Sequence, residues 1–222
     1  MTAERLAQIL AVLCLVIAAV MAGKPSFTNA SQPVRGIADP GIALQTVRGI
    51  DEIDAILSDA PSADREVMRI KQYIDFAFIA AYAAIGVVIA WAMRRRQRWV
   101  ALGIMAFTLG AAVFDVAENL AILRLLPLPV SETTRAAIQA IRAASLVKWS
   151  LASGALILLA VLFLKARRWY PRVLAILNGA AGVLMCWGVY HNEWLPWAAI
   201  LLSLGLPLSA GTLKLLTHES AS

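Results

Sequence analysis

The chain has 222 residues, of which 60% are hydrophobic and only 15% charged, with a formal net charge of +6 and a mean hydropathy of +0.73. That balance excludes an ordinary water-soluble domain and defines an integral membrane protein. It also excludes nucleic acid as a partner, because the basic residues form no groove-lining stripe. They gather beside apolar segments instead, Arg94, Arg95, Arg96 and Arg98 in one block and Lys165, Arg167, Arg168 and Arg172 in another, as topogenic charge does.

Residues 6–22 form the first apolar segment, about 17 residues long and close to the minimum for a spanning helix. Its small-residue end at Gly23 is compatible with signal-peptide cleavage. The preceding Glu4 and Arg5 give almost no net charge, so an uncleaved anchor over residues 1–23 is the expected state. Residues 24–70 differ in kind, with Ser, Pro and Gly and the acidic Asp39, Asp51, Glu52, Asp54, Asp59, Asp64 and Glu66. They read as an extracytoplasmic loop. Within it Ile50, Ile53, Ile56 and Leu57 recur at helical spacing, which predicts a short amphipathic helix that lies on the membrane surface or caps the bundle. Ser62 or Asp64 is the expected N-cap of the helix that follows.

Residues 71–222 read as a transmembrane bundle. The second span covers 73–93 and stops at the arginine block; the third covers 99–126 and ends before Pro127 and Pro129. A fourth over 131–164 begins as a polar extension, and 172–190 and 194–216 supply the fifth and sixth. The expected fold is therefore an all-α polytopic bundle of six spans, or five if the first is cleaved. Both basic blocks follow even-numbered spans, which places the N and C termini in the cytoplasm and the acidic loop outside, as in a multi-pass protein of a bacterial inner membrane. Trp91, Trp99, Trp169, Tyr170, Trp194 and Trp197 fall near span ends, as interfacial anchors do.

Asp75, Asp115, Glu118, Asn119 and Lys148 interrupt the second, third and fourth spans. Ionisable groups are expensive in hydrocarbon and persist there by pairing, by lining a polar cavity or by serving a function. Counted at 1.5 Å per residue from the cytoplasmic ends, Asp75, Asp115 and Lys148 lie at ~27, ~24 and ~25 Å. A shared level near the outer headgroups follows. Asp115, Glu118 and Asn119 are related by i, i+3 and i+4 and occupy one helix face. Asp75 shares its face with Phe78, Ile79 and Tyr82, and Lys148 has Ser145, Trp149 and, one turn further out, Arg142 as neighbours. Three carboxylates against one ammonium leave a deficit that a proton or a cation must fill.

Two cysteines, Cys14 and Cys186, and two histidines, His191 and His218, provide neither a C-x-x-C pair nor a metal-ligand set, so no metal and no cofactor is expected. Asn178 beside Gly179 reads as a helix contact, and Pro207 with Gly205 as a bend in the last helix.

The runs Asp75-Phe-Ala-Phe-Ile-Ala-Ala-Tyr82, Asp115-Val-Ala-Glu-Asn119 and Lys148-Trp149 resemble a pattern in uncharacterised bacterial integral membrane proteins. The likeness covers spans two to four. It implies a shared bundle and adds weight to the same polar residues, without implying an activity or a substrate.

Three functional readings share these residues. The first is an outward-facing intramembrane pocket for a small molecule or lipid headgroup, coupled to proton exchange: Asp75, Asp115, Glu118, Asn119 and Lys148 bind, and Tyr82, Ser145, Trp149 and Arg142 line it. The second is a membrane enzyme acting on an outer-leaflet lipid, with a carboxylate as general acid or base and Lys148 as electrostatic stabiliser; a Ser145–Lys148 pair is its only candidate nucleophile. The third is an assembly subunit whose polar level docks a membrane-protein partner or a second copy. Polar residues that merely hold helices together, at about 1 kcal/mol or less each, are the competing explanation for the whole cluster.

Overall fold

The structure is a computed structural model and describes residues 2–23, 25–28, 34–164 and 169–213. Lys165, Arg167, Arg168 and His218 lie outside the described residues. The chain is all-α. In order, the helices are α1 (Ala3–Ala22), α2 (Pro40–Gln45), α3 (Ile50–Leu57), α4 (Ala63–Met93), α5 (Arg98–Leu125), α6 (Arg135–Leu164), α7 (Trp169–Tyr190) and α8 (Leu195–Gly211). Five of them, α1, α4, α5, α6 and α7, are long and apolar enough to cross a membrane, and α8 is a shorter apolar helix of 17 residues. The architecture is that of a membrane helical bundle.

Local chemistry sets the helix ends. Thr2, Asp39 and Ser62 have extended backbones and accept the amide hydrogens of Arg5, Ile42 and Arg65, so each caps a helix start. Pro40 follows Asp39 at the first helical position, where its missing N–H costs nothing. Of the two expected caps for α4, Ser62 is the one used. Asp64 accepts hydrogen bonds from the Thr28 amide and hydroxyl instead, both at 2.6 Å. α4 thus starts at Ala63, as an N-cap at Ser62 predicts, and its first two turns lie within residues 24–70, ahead of the span.

The long helices form a closed ring. Each packs on the next in the order α1, α4, α5, α6, α7, α8, and α8 returns to α1. Small side chains permit the close approaches, since helices in lipid gain from backbone proximity. Ala7, Ala11 and Cys14 are the buried face of α1. Gly86 of α4 meets Thr108 of α5 so closely that an added Cβ would lie 2.6 Å from Thr108 Cγ2. Asn178 fills the α7–α8 contact expected of it, donating to Leu174 O at 2.8 Å and Ser209 Oγ at 2.9 Å.

At one end the loop folds onto the ring. Ile53, Ile56 and Leu57 of α3 are buried together with Leu44, Met68, Ile122, Leu125, Ile138 and Ile141. The expected amphipathic helix thus caps the bundle and does not lie out on a membrane surface. Arg65, 2% exposed, locks the cap in place. Its guanidinium donates to Ser58 O at 2.8 Å, Leu126 O at 3.0 Å and Leu128 O at 2.7 Å, tying the α3–α4 turn to carbonyls left open at the end of α5. At the other end, Arg94, Arg95, Arg96 and Arg98 are exposed around the α4–α5 turn, with Arg94 3.5 Å from the Trp91 ring centroid. Trp91, Trp99, Trp169, Trp194 and Trp197 are all exposed on the bundle surface.

Candidate functional site

Helices α4, α5 and α6 are consecutive neighbours in the ring, and the polar residues of all three meet. Lys148 Nζ of α6 lies 2.7 Å from both Asp115 Oδ1 and Glu118 Oε1 of α5. The i, i+3 spacing of the two carboxylates places them on one α5 face, one turn apart, so a single ammonium reaches both. Ser145, one turn before Lys148, donates to Glu118 Oε2 at 2.5 Å. From α4, the Tyr82 hydroxyl donates to Asp115 Oδ2 at 3.0 Å, while Asp75 Oδ2 accepts from Asn119 Nδ2 at 2.7 Å. The shared depth inferred from residue counting is thus a polar cluster across three helices, made of two bonded sets: Tyr82, Asp115, Lys148, Glu118 and Ser145 in one, Asp75 and Asn119 in the other.

The cluster has a front and a back. A cavity of about 280 Å³ opens inside the ring, with walls from α1, the loop, α4, α5, α6 and α8. Asp75, Asp115, Lys148, Tyr82 and Trp149 line it. Glu118, Asn119 and Ser145 do not; they are almost completely buried behind that wall. Glu118 is 0% exposed and Ser145 0%. This corrects the sequence reading in two places: Ser145 is not a lining residue, and Glu118 and Asn119 hold the lining residues instead of facing a ligand. Arg142 is a third correction. It is half-buried, forms no hydrogen bond or ion pair with the cluster among the described residues, and its charge acts on Arg35 of the loop.

The loop supplies the roof. Gln45, the last residue of α2, accepts a hydrogen bond from Trp149 Nε1 at 3.2 Å through Oε1. Gln45, Lys71 and Gln72 all line the cavity and were not singled out from sequence. Lys71 donates to the Met21 carbonyl at the end of α1 and sits 5.5 Å from the Phe27 ring centroid. Gln72 is buried, with Nε2 3.4 Å from Met68 Sδ and no partner for Oε1 among the described residues. A signal for Gln72 existed, since it lies one turn before Asp75. Asp39 and Pro40 start α2, a helix not expected from the sequence, and nothing in the sequence showed that it would lie over Trp149.

Formal charge decides what this arrangement can do. Asp75, Asp115 and Glu118 carry three negative charges when ionised, and Lys148 offsets one. The remainder, beside aromatic and aliphatic walls, suits a proton or a cationic ligand. The Ser145 hydroxyl faces Glu118 Oε2 and Ile141 O, and Lys148 is held between two carboxylates, so the pair is not set up as nucleophile and base. Among the described residues no group of His, Cys, Asp and Glu is arranged to hold a metal ion.

Fold and cluster together define a polytopic all-α membrane bundle with an internal ion-pair network on a ligand-sized cavity. No known protein family model matches the chain, and no curated protein or solved structure shows significant similarity to it.

Proposed function

We propose that the protein is a multi-pass protein of a bacterial inner membrane that binds a small molecule or lipid headgroup in this cavity, with proton exchange at its carboxylates. The carrying observation is that Asp75, Asp115 and Lys148 stand on the wall of a cavity of about 280 Å³ rather than in a dry helix contact. Groups serving only to join helices have no reason to border an open space, where they lose partner atoms on one side. The exposed arginines at the α4–α5 turn support a cytoplasmic position for that end, which turns the roofed end outward. The residues of the D-F-x-F-I-x-x-Y, D-x-x-E-N and K-W pattern include every member of the cluster except Ser145, which supports reading the likeness as one of site as well as of bundle.

The test is native mass spectrometry with lipid and metabolite extraction, comparing wild type with Ala152→Phe. Ala152 is on the cavity wall and half-buried, one turn after Lys148, so the larger ring fills cavity space while every charged group of the cluster is retained. A co-purifying species that is lost in Ala152→Phe, with the melting temperature retained, is the expected result. Absence of any such species from wild type, with Asp75→Ala and Lys148→Ala unfolding alike, would reduce the cluster to helix adhesion.

A further inference from the structure

The protein already holds one ammonium ion beside this cavity, and the manner of holding it is informative. Lys148 Nζ has two carboxylate oxygens at 2.7 Å and the Trp149 ring centroid at 5.0 Å. Carboxylate and aromatic ring together form a recurrent setting for an organic cation. The α4 wall of the same cavity presents similar groups, and its Lys71 ammonium is engaged away from them. Asp75 accepts from Asn119 at Oδ2 and from nothing at Oδ1 among the described residues. Phe78 and Tyr82 follow it along the wall. Gln72, one turn before Asp75, is 7% exposed and lines the cavity, and its Oε1 is buried with no donor among the described residues. A buried acceptor left without a donor is costly enough to be uncommon. The remaining cation on the wall, Lys71, is turned to the Met21 carbonyl and makes no ion pair with Asp75.

Building on the ligand-cavity reading, we infer that the occupant is an organic ammonium ion, free or as the amine of a lipid headgroup, whose nitrogen pairs with Asp75 and Gln72 while its apolar part lies along Phe78 and Tyr82. The ammonium supplies donors that Asp75 Oδ1 and Gln72 Oε1 lack, and it cancels one of the two negative charges that Lys148 leaves over. A carboxylate or phosphate ligand would add to that excess.

The test is calorimetric titration of the full chain in phosphatidylglycerol nanodiscs with three probes of one shape and different charge: 2-phenylethylammonium, 2-phenylethanol and phenylacetate. Saturable binding of the ammonium at least tenfold tighter than the alcohol is expected, with phenylacetate weakest. Asp75→Asn should abolish that preference at an unchanged melting temperature, and Gln72→Leu should reduce it, which keeps the test sound if Asp75→Asn folds poorly. Weaker probe binding in phosphatidylethanolamine nanodiscs would assign the site to a lipid amine, and equal binding would assign it to a free ammonium compound. Preference for the alcohol or phenylacetate, lost in Ala152→Phe, overturns the ammonium inference and leaves the cavity reading standing. Retained ammonium preference in Asp75→Asn also overturns it. No binding of any probe to wild type, together with no co-purifying species, overturns both.

Discussion

Lys148 Nζ stands 2.7 Å from Glu118 Oε1, and Glu118 has no exposure to water or to the cavity. Glu118 therefore does its work from behind the wall on which Lys148 stands. Glu118 and Asp115 fix the Lys148 ammonium from two sides, and Ser145 satisfies the second Glu118 oxygen. Removing the ammonium leaves two buried carboxylates facing each other. Lys148→Met is expected to destabilise the fold by about 3–5 kcal/mol, the usual loss when one partner of a buried pair is removed. Combining it with Asp115→Asn and Glu118→Gln should restore most of that stability, because no uncompensated charge remains. Denaturant unfolding in detergent micelles checks both, and equal instability of single and triple variants would refute the charge argument.

Arg65 should be the most sensitive residue of the roof. It is 2% exposed and donates to four carbonyls in two separate segments, those of Ser58, Leu126 and Leu128 and, at 3.5 Å, that of Leu125. Arg65→Ala strands those carbonyls, at about 1–3 kcal/mol for each left without a donor. Arg65→Lys should recover only part, since an ammonium cannot spread its donors over a planar fork. Limited proteolysis of residues 34–62, compared with global unfolding, shows whether the loss is confined to the roof.

The α4–α5 contact gives a steric prediction. A Cβ at Gly86 would meet Thr108 Cγ2 at 2.6 Å. Gly86→Ala is expected to cost about 1–3 kcal/mol by overpacking, and Thr108→Ser should relieve little of it, because the Cβ and hydroxyl oxygen at position 108 would still lie 2.7 and 2.8 Å from the added atom. Thr108 also lines the cavity, so a displaced helix would be visible as weaker probe binding as well as a lower melting temperature.

Acid should loosen the loop at one defined place. Asp59 accepts the amide hydrogens of Val130 at 2.7 Å and Ala60 at 2.9 Å, and these bonds hold its carboxyl below the usual carboxylate range. A depressed folded-state value means that the contribution to stability is fully present above the unfolded value of about 3.9 and disappears as pH falls through the folded one. Hydrogen exchange at the Val130 amide should therefore be unchanged from neutral pH down to about pH 4, after allowance for the intrinsic rate, and accelerate only below it. Asp59→Asn should remove most of that acid step.

Much of this was legible before any coordinates. Asp115, Glu118 and Asn119 sit on one helix face by spacing alone, and residue counting brought them level with Asp75 and Lys148. Helical periodicity also located α3. What counting could not supply is rotation about each helix axis relative to its neighbours. Asp115 and Glu118 share an α5 face, yet a single turn separates a carboxylate on the cavity wall from one sealed behind it. The same reason misplaced Ser145, which is a neighbour of Lys148 along the helix but contacts Glu118 across it. Arg142 was drawn into the cluster by its position one turn further out, whereas its charge acts on Arg35 in the loop. Gln45 depended on where a six-residue helix settles, which tertiary packing decides.

The ring has consequences for how the molecule is made. Synthesis delivers helices from the N terminus onward. α4, α5 and α6 are consecutive, so the salt-linked core can assemble while the last two helices are still to come. Cavity closure is different: α1 must wait beside α4 until α8 arrives to pack against it, and α8 carries the wall residue Leu206. The nascent chain thus acquires its charged anchor early and its binding space last, so a truncated product would retain the ion pairs and leave the chamber open to lipid.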